Sequence, residues 1–298
     1  MVPAASRVAS IRQRLLDRAR SRGEDFQLLL DRFAVERLLY RLSTSPYRDQ
    51  FLLKGAMLFA LWFDHPHRPT RDADFLSFGS PDPERLASMV RGLCEIRFDD
   101  GLHFDPDSIA VESIREEAAY EGQRLRLQAR LGNARCHVQW DIGFGDAVTP
   151  APMATDYPVL LDEFPPPHLR VYPRETVFAE KLEAIASLGI ANSRMKDYFD
   201  LLALIREGVL DQATLVAAVL ATFDRRRTKF PGAVPFGLTE DFSADVQKQA
   251  QWNAFLSRNR LTGPDLSAVA GEIRTFVSGL NIDRHANADQ GDQRSSRV

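Results

Sequence analysis

The chain is poor in cysteine, with Cys94 and Cys136 as its two thiols among 298 residues. Two thiols cannot build a disulfide framework or a Cys-rich metal centre, so small buried groups in a reducing compartment are expected. Long apolar runs are also missing. No stretch approaches the 18 or so apolar residues of a membrane span, and Met-Val-Pro-Ala-Ala-Ser leads into an arginine-rich helix without an apolar signal core. These absences predict a cytoplasmic protein with no membrane association. Positive charge is not in excess: 38 Lys and Arg against 41 Asp and Glu leave a formal charge of −3. That excludes nucleic-acid binding through overall basicity but leaves a local basic face open. No internal repeat is found. What is present, 44% hydrophobic and 27% charged residues, describes an ordinary globular chain long enough for one large domain or two smaller ones.

Apolar residues at helical spacing mark two opening helices, over 6–22 (Ile11, Leu15, Leu16) and 24–42 (Phe26, Leu29, Leu30, Phe33, Leu38, Leu39). The first carries Arg7, Arg12, Arg14, Arg18, Arg20 and Arg22 against Asp17, either a solvated face or a phosphate-contacting one. From 50 to 145 the pattern alternates. A short buried strand at Phe51–Leu53 is followed by a helix over 56–63 and a strand over 72–78. Next come a helix over 82–94, with Asp82 as N-cap and Pro83 at its first position, and strands over 109–114, 124–131 and 136–142. Gly132-Asn133 supplies a hairpin turn. Helical periodicity returns over 174–189, 194–207, 211–223, 240–258 and 264–280. The pattern predicts an α+β fold with four parts. An N-terminal domain over 1–150 holds a small mixed sheet and flanking helices, a proline-rich linker spans 151–173, a helical lobe spans 174–282, and a disordered tail spans 283–298.

Chemistry concentrates first at 54–75. Gly55 opens an apolar helix, and Arg68-Pro-Thr70-Arg71-Asp72-Ala73-Asp74 follows. A strand has a period of two, so Asp72 and Asp74 project from one face while Ala73 points away. Adjacent like charges repel, and a divalent cation relieves them; carboxylate oxygens are the hard ligands that Mg²⁺ or Mn²⁺ takes, together with substrate phosphates. Asp-x-Asp pairs also occur in loops and at helix N-termini. Asp141, near the end of a strand, is costly there unless paired or bound to metal. Beside Asp72 and Asp74 it would complete three carboxylates able to hold two cations; capping of the Gly143-Phe-Gly145 turn is the plainer role.

Lys181 lies beside the buried stripe of its helix (Val177, Phe178, Leu182, Ile185) and could reach inward to a triphosphate, or stay solvated. Asp197 and Asp200 share a helix face, where they could orient that lysine or serve as base, or simply favour a helix N-terminus. Arg225, Arg226, Arg227 and Lys229 form a basic run suited to RNA phosphates.

Gly55 with Leu58, Arg68-x-Thr70-x-Asp72-x-Asp74, Trp140-Asp141-Ile142-Gly143-x-Gly145-Asp146, Glu180-Lys181-Leu182 and Arg194-x-Lys196-Asp197-x-x-Asp200-Leu201 occur in one order. Together, over about residues 25–260, they resemble the AbiEii/AbiGii family of nucleotidyltransferase toxins within the DNA polymerase β-like superfamily. The resemblance implies a sheet domain carrying the Gly and Asp-x-Asp motifs and a helical lobe carrying Lys181 and Asp197. It implies a toxin encoded with a cognate antitoxin protein, using an NTP and Mg²⁺ on an RNA acceptor, with characterised relatives acting on the tRNA 3′ end and blocking aminoacylation. Gly55 and Lys181 would contact nucleotide phosphates, with Thr70 beside the metal carboxylates. The superfamily turn is commonly Gly-Gly or Gly-Ser, whereas this chain has Gly55-Ala56; a backbone N–H can still meet a phosphate. Two other functions share these residues: transfer to a small molecule or protein side chain, and non-catalytic binding of RNA or a partner.

Overall fold

The computed structural model describes residues 4–63, 67–117, 120–146, 148–208, 210–230 and 234–282. The expected tail over 283–298 lies outside them. Helix α1 (Ala4–Arg22) forms around Ile11, Leu15 and Ala19, which recur every four residues and are all buried. Helix α2 (Phe26–Ser43) starts where the Asp25 carboxylate accepts a hydrogen bond from Leu28 N at 2.8 Å. It is buried along most of its length, charged residues included. Arg41 forks onto Asp100 at 2.6 and 3.2 Å, and Arg37 lies 3.0 Å from Glu36.

Seven strands form one mixed sheet: β1 (Phe51–Lys54), β2 (Asp72–Ser77), β3 (Leu102–Glu117), β4 (Tyr120–Leu131), β5 (Ala134–Phe144), β6 (Met153–Asp156) and β7 (His168–Val171), in the order β3-β4-β5-β2-β1-β7-β6. The β1–β2 pair is antiparallel, while β2–β5 and β1–β7 are parallel. The β4–β5 turn is made by Gly132 at φ +60°. Between β1 and β2 the chain makes a 3₁₀ turn over Gly55–Leu58 and one helical turn, α3 (Phe59–Trp62). This is shorter and tighter than the single helix expected over 56–63. Helix α4 (Pro83–Glu95) opens as expected, with Asp82 accepting from Glu84 N.

The 151–173 stretch differs from a linker. Between its prolines it holds two tetrapeptides, Met-Ala-Thr-Asp and His-Leu-Arg-Val, that pair antiparallel as β6 and β7. Leu169 and Val171 are buried, and Val171 registers with Leu53, so the segment extends the sheet. The two compact units accordingly run Met1–Gly145 with Met153–Val171, and Asp146–Pro152 with Tyr172–Val298.

The second unit is helical: α5 (Arg174–Leu188), α6 (Met195–Arg206), α7 (Gln212–Arg225), α8 (Glu240–Ser243), α9 (Val246–Asn259) and α10 (Leu266–Gly279). Asp211, Asp245 and Asp265 cap α7, α9 and α10. The Asp245 cap explains why the helix expected over 240–258 is two: its carboxylate takes Lys248 N and restarts the helix. Phe178, Leu182, Tyr198, Leu201, Trp252 and Ile273 fill the core. Among the described residues no helix is long and apolar enough to cross a membrane.

Candidate active site

Sheet register assembles a charged row in the first unit. Lys54 on β1 faces Asp74 on β2, Asp74 faces Asp141 on β5, Asp141 faces Arg124 on β4, and Arg124 faces Glu112 on β3. Residues directly opposite share a face, so five strands contribute one polar row on a sheet whose other side carries Ala73, Phe75, Trp140 and Leu125. Asp72, two residues before Asp74, registers with Gln139 on that same face. Both Asp72 and Asp74 are half-buried.

Asp141 is nearer to complete burial. Arg124 grips it bidentately, Nε to Oδ1 at 2.8 Å and Nη2 to Oδ2 at 2.6 Å, and Gln139 donates to Oδ1 at 3.2 Å. These hydrogen bonds raise the Arg124 guanidinium above its ordinary value. Asp141 therefore stands beside the Asp72–Asp74 pair in register but gives both oxygens to Arg124. Among the described residues, no group of three or more His, Cys, Asp and Glu side chains is gathered to hold a metal ion.

Gly55 has φ +75°, and a Cβ placed there would lie 1.9 Å from Asp74 Oδ2. The turn's backbone rests directly on the carboxylate, and a side chain would fill the space the carboxylate occupies. Thr70 donates from Oγ1 to Asp72 O at 3.4 Å, which ties the approach segment to the start of β2.

Lys181 and Asp197 lie in the second unit. Lys181 is buried rather than solvated: Nζ is 2.7 Å from Asp197 Oδ1 and 2.8 Å from Asp200 Oδ2, and Arg194 Nε lies 2.7 Å from Asp197 Oδ2. Both carboxylates are 0% exposed. Burial alone would raise the Asp197 carboxyl; the Lys181 and Arg194 cations outweigh it and hold it below the usual carboxylate range.

The basic run does not present one surface. Arg225, Arg227 and Lys229 are exposed. Arg226 turns inward to Glu183 at 2.8 Å, Asp146 at 3.4 Å and Glu180 at 3.7 Å, with its side chain 8% exposed. The expectation of Arg226 as a phosphate contact is corrected accordingly, because three carboxylates of its own unit have drawn it in.

A family model described as "Nucleotidyl transferase AbiEii toxin, Type IV TA system" matches residues 37–278. The chain belongs to the AbiEii nucleotidyltransferase toxin family. Membership of a toxin–antitoxin family implies an antitoxin partner. Among solved structures it is similar to JHP933 from Helicobacter pylori, at 15% identity over 90% of this chain and 98% of that one, with a TM-score of 0.50. It is also similar to an H. pylori protein described as a "putative nucleotidyltransferase", at 17% identity over 87% and 99% of the two chains, with a TM-score of 0.46. No curated protein matches. Of the motif residues read from the sequence, Asp72 and Asp74 fall on β2, Asp141 on β5, Lys181 on α5 and Asp197 and Asp200 on α6, while Gly55, Arg68 and Thr70 lie between β1 and β2. Sequence reasoning missed Lys54, whose signal was a lysine closing an apolar strand directly before the glycine turn. It also missed Arg124, the first residue of the strand expected over 124–131, which stands opposite Asp141.

Proposed function

We propose that the chain transfers a nucleotidyl group from an NTP to the 3′ hydroxyl of an RNA acceptor, the tRNA 3′ end in particular, and so blocks aminoacylation and translation. The observation that carries this is the sheet row that sets Asp72 and Asp74 on one face, beside Asp141, with the Gly55 backbone against Asp74. In the transfer, the acceptor oxygen bonds to the α-phosphorus and the α–β bridging P–O bond breaks. Pyrophosphate leaves with the electron pair, and the hydroxyl proton passes to a carboxylate oxygen of the β2 face.

Asp72 and Asp74 fit a divalent cation: two hard carboxylates on one face, half-open to phosphate oxygens and water. Asp141 would serve as a third ligand only on giving up its bonds to Arg124. When bound, Mg²⁺ or Mn²⁺ would neutralise phosphate charge and lower the pKa of the attacking hydroxyl. The missing side chain of Gly55 leaves room for the Asp74 carboxylate, its backbone N–H would meet a phosphate, and Thr70 steadies the start of β2. In the second unit, Lys181 is held in one orientation by Asp197 and Asp200, and its role toward nucleotide phosphate is the one the family resemblance implies. Arg225, Arg227 and Lys229, all exposed, would contact RNA phosphates.

The test incubates the protein with each labelled NTP, total tRNA and Mg²⁺. Label on RNA with one or more NTPs, lost in Asp72→Ala, is the expected result. Label on a protein or small molecule instead, or RNA labelling that survives Asp72→Ala, would overturn it.

A further inference from the structure

The first unit contains a cleft of about 280 Å³ that the chemistry above leaves unused. Five arginines line it: Arg18 and Arg22 from α1, Arg32 from α2, and Arg68 and Arg71 from the segment entering β2. Arg18 and Arg22 stand one helical turn apart and so share a face. Among the described residues, Glu36 is the one carboxylate lining the cleft, and it is paired with Arg37 at 3.0 Å. It is 2% exposed, accepts a hydrogen bond from Leu160 N at 2.6 Å, and burial pushes its carboxyl up to about 7.

Arg18 lies close to Arg22 and Arg32, and Arg32 is paired with Glu24 at 3.1 Å. Burial, then Arg22 and Arg32 nearby, lower the Arg18 pKa, while Glu24 and Asp162 only partly offset them. A concave surface lined by one sign of charge focuses its field and concentrates counter-ions. Position adds a direction. The cleft is also lined by Ala56, in the turn whose first residue rests on Asp74, and by Thr70, two residues before Asp72. A strand whose 3′ end reached Asp72 and Asp74 would trail its preceding phosphates past these arginines. A triphosphate concentrates its charge at one point, whereas these guanidinium groups come from three separate segments and suit successive phosphodiesters.

We propose that the arginine cleft of the first unit holds the phosphodiester backbone of the acceptor RNA just before its 3′ end. This rests on the RNA-acceptor reading above and deepens it. The test measures binding in the Asp72→Ala background, where turnover does not intrude. The probe is a fluorescein-labelled RNA hairpin with a single-stranded 3′ end, titrated at salt from about 50 to 200 mM.

Arg22→Glu with Arg71→Glu, both exposed positions, should weaken RNA binding by about tenfold or more. The log–log salt slope should become shallower by roughly 1.4, at about 0.7 per single-strand contact. Arg22→Lys with Arg71→Lys should keep the parent slope, and affinity for a fluorescent NTP analogue should stay at the parent value in both. Parallel salt slopes for the Glu pair and the parent would overturn the proposal. So would a fall in nucleotide affinity with RNA binding unchanged, which would mark the cleft as a triphosphate site. The two readings fail separately. Arginine-dependent RNA binding without RNA labelling in the transfer assay refutes the function alone, and RNA labelling with arginine-independent binding refutes the cleft alone.

Discussion

Each unit carries a pair of acidic residues two or three positions apart on one element, and the two pairs are treated in opposite ways. In the second, Asp197 and Asp200 are fully buried and closed upon Lys181 and Arg194, two carboxylates against two cations within 2.7–2.8 Å. In the first, Asp72 and Asp74 sit half-buried on one strand face, with the backbone of a glycine turn against Asp74. A closed, neutral cluster fixes structure, since breaking it strands a buried charge. A half-open face with two like charges on one strand invites a cation from solution. On the proposed function the second cluster serves orientation and stability and the first holds the ion, and substitutions can separate the two.

The largest effect is expected at Asp72. On the proposed chemistry, Asp72→Ala removes an ion ligand and with it several kcal/mol of transition-state stabilisation, on the order of a 10³-fold loss in transfer rate. Stability should hold or rise slightly, because two like charges on one face become one. Transfer rate and thermal midpoint without metal check both halves; parent-like activity would remove the ion site from β2.

Lys181→Ala should do the reverse, costing about 3–5 kcal/mol of stability by leaving two buried carboxylates undercompensated. Denaturant unfolding measures it, and a loss under about 1 kcal/mol would show that the cluster does not need its lysine. Gly55→Ala combines both signatures. Its positive φ alone costs about 1–3 kcal/mol, and the added methyl meets Asp74 Oδ2 at 1.9 Å. Activity and thermal midpoint should therefore fall together, unlike in Asp72→Ala.

Much of this contrast was legible in the sequence, for physical reasons. The period of two set Asp72 and Asp74 on one face, and helical spacing set Asp197 and Asp200 on another. Cross-strand partners could not be read, because register depends on strands distant in sequence: Lys54 opposite Asp74 and Arg124 opposite Asp141 emerge from pairing alone. Prolines hid β6 and β7, whose four-residue strands fall below the length at which alternation becomes visible. Arg226 looked like its neighbours 225 and 227, and its inward turn depends on Asp146, Glu180 and Glu183 meeting it from elsewhere in the fold.

The smallest expected effect concerns pH, and it sharpens the comparison by sign. Asp197 is held below the usual carboxylate range: burial works against the charge, and Lys181 and Arg194 overcome it. A depressed folded value means the contribution is fully present above the unfolded value of about 3.9 and is lost as pH falls through the folded one. Glu36 on α2 behaves oppositely. Burial pushes it up to about 7, so the folded chain keeps a proton that the unfolded chain releases near 4.3. Its contribution is complete below that value and is lost as pH rises towards 7. Hydrogen-exchange protection factors, corrected for intrinsic rates, should therefore fall on α6 below about pH 4 and fall on α2 as pH climbs from about 4.3 to 7. Asp197→Asn should flatten the α6 response, and Glu36→Gln the α2 one. Protection on α6 that rose on acidification, or that kept its pH dependence in Asp197→Asn, would show that its two cations do not govern the cluster.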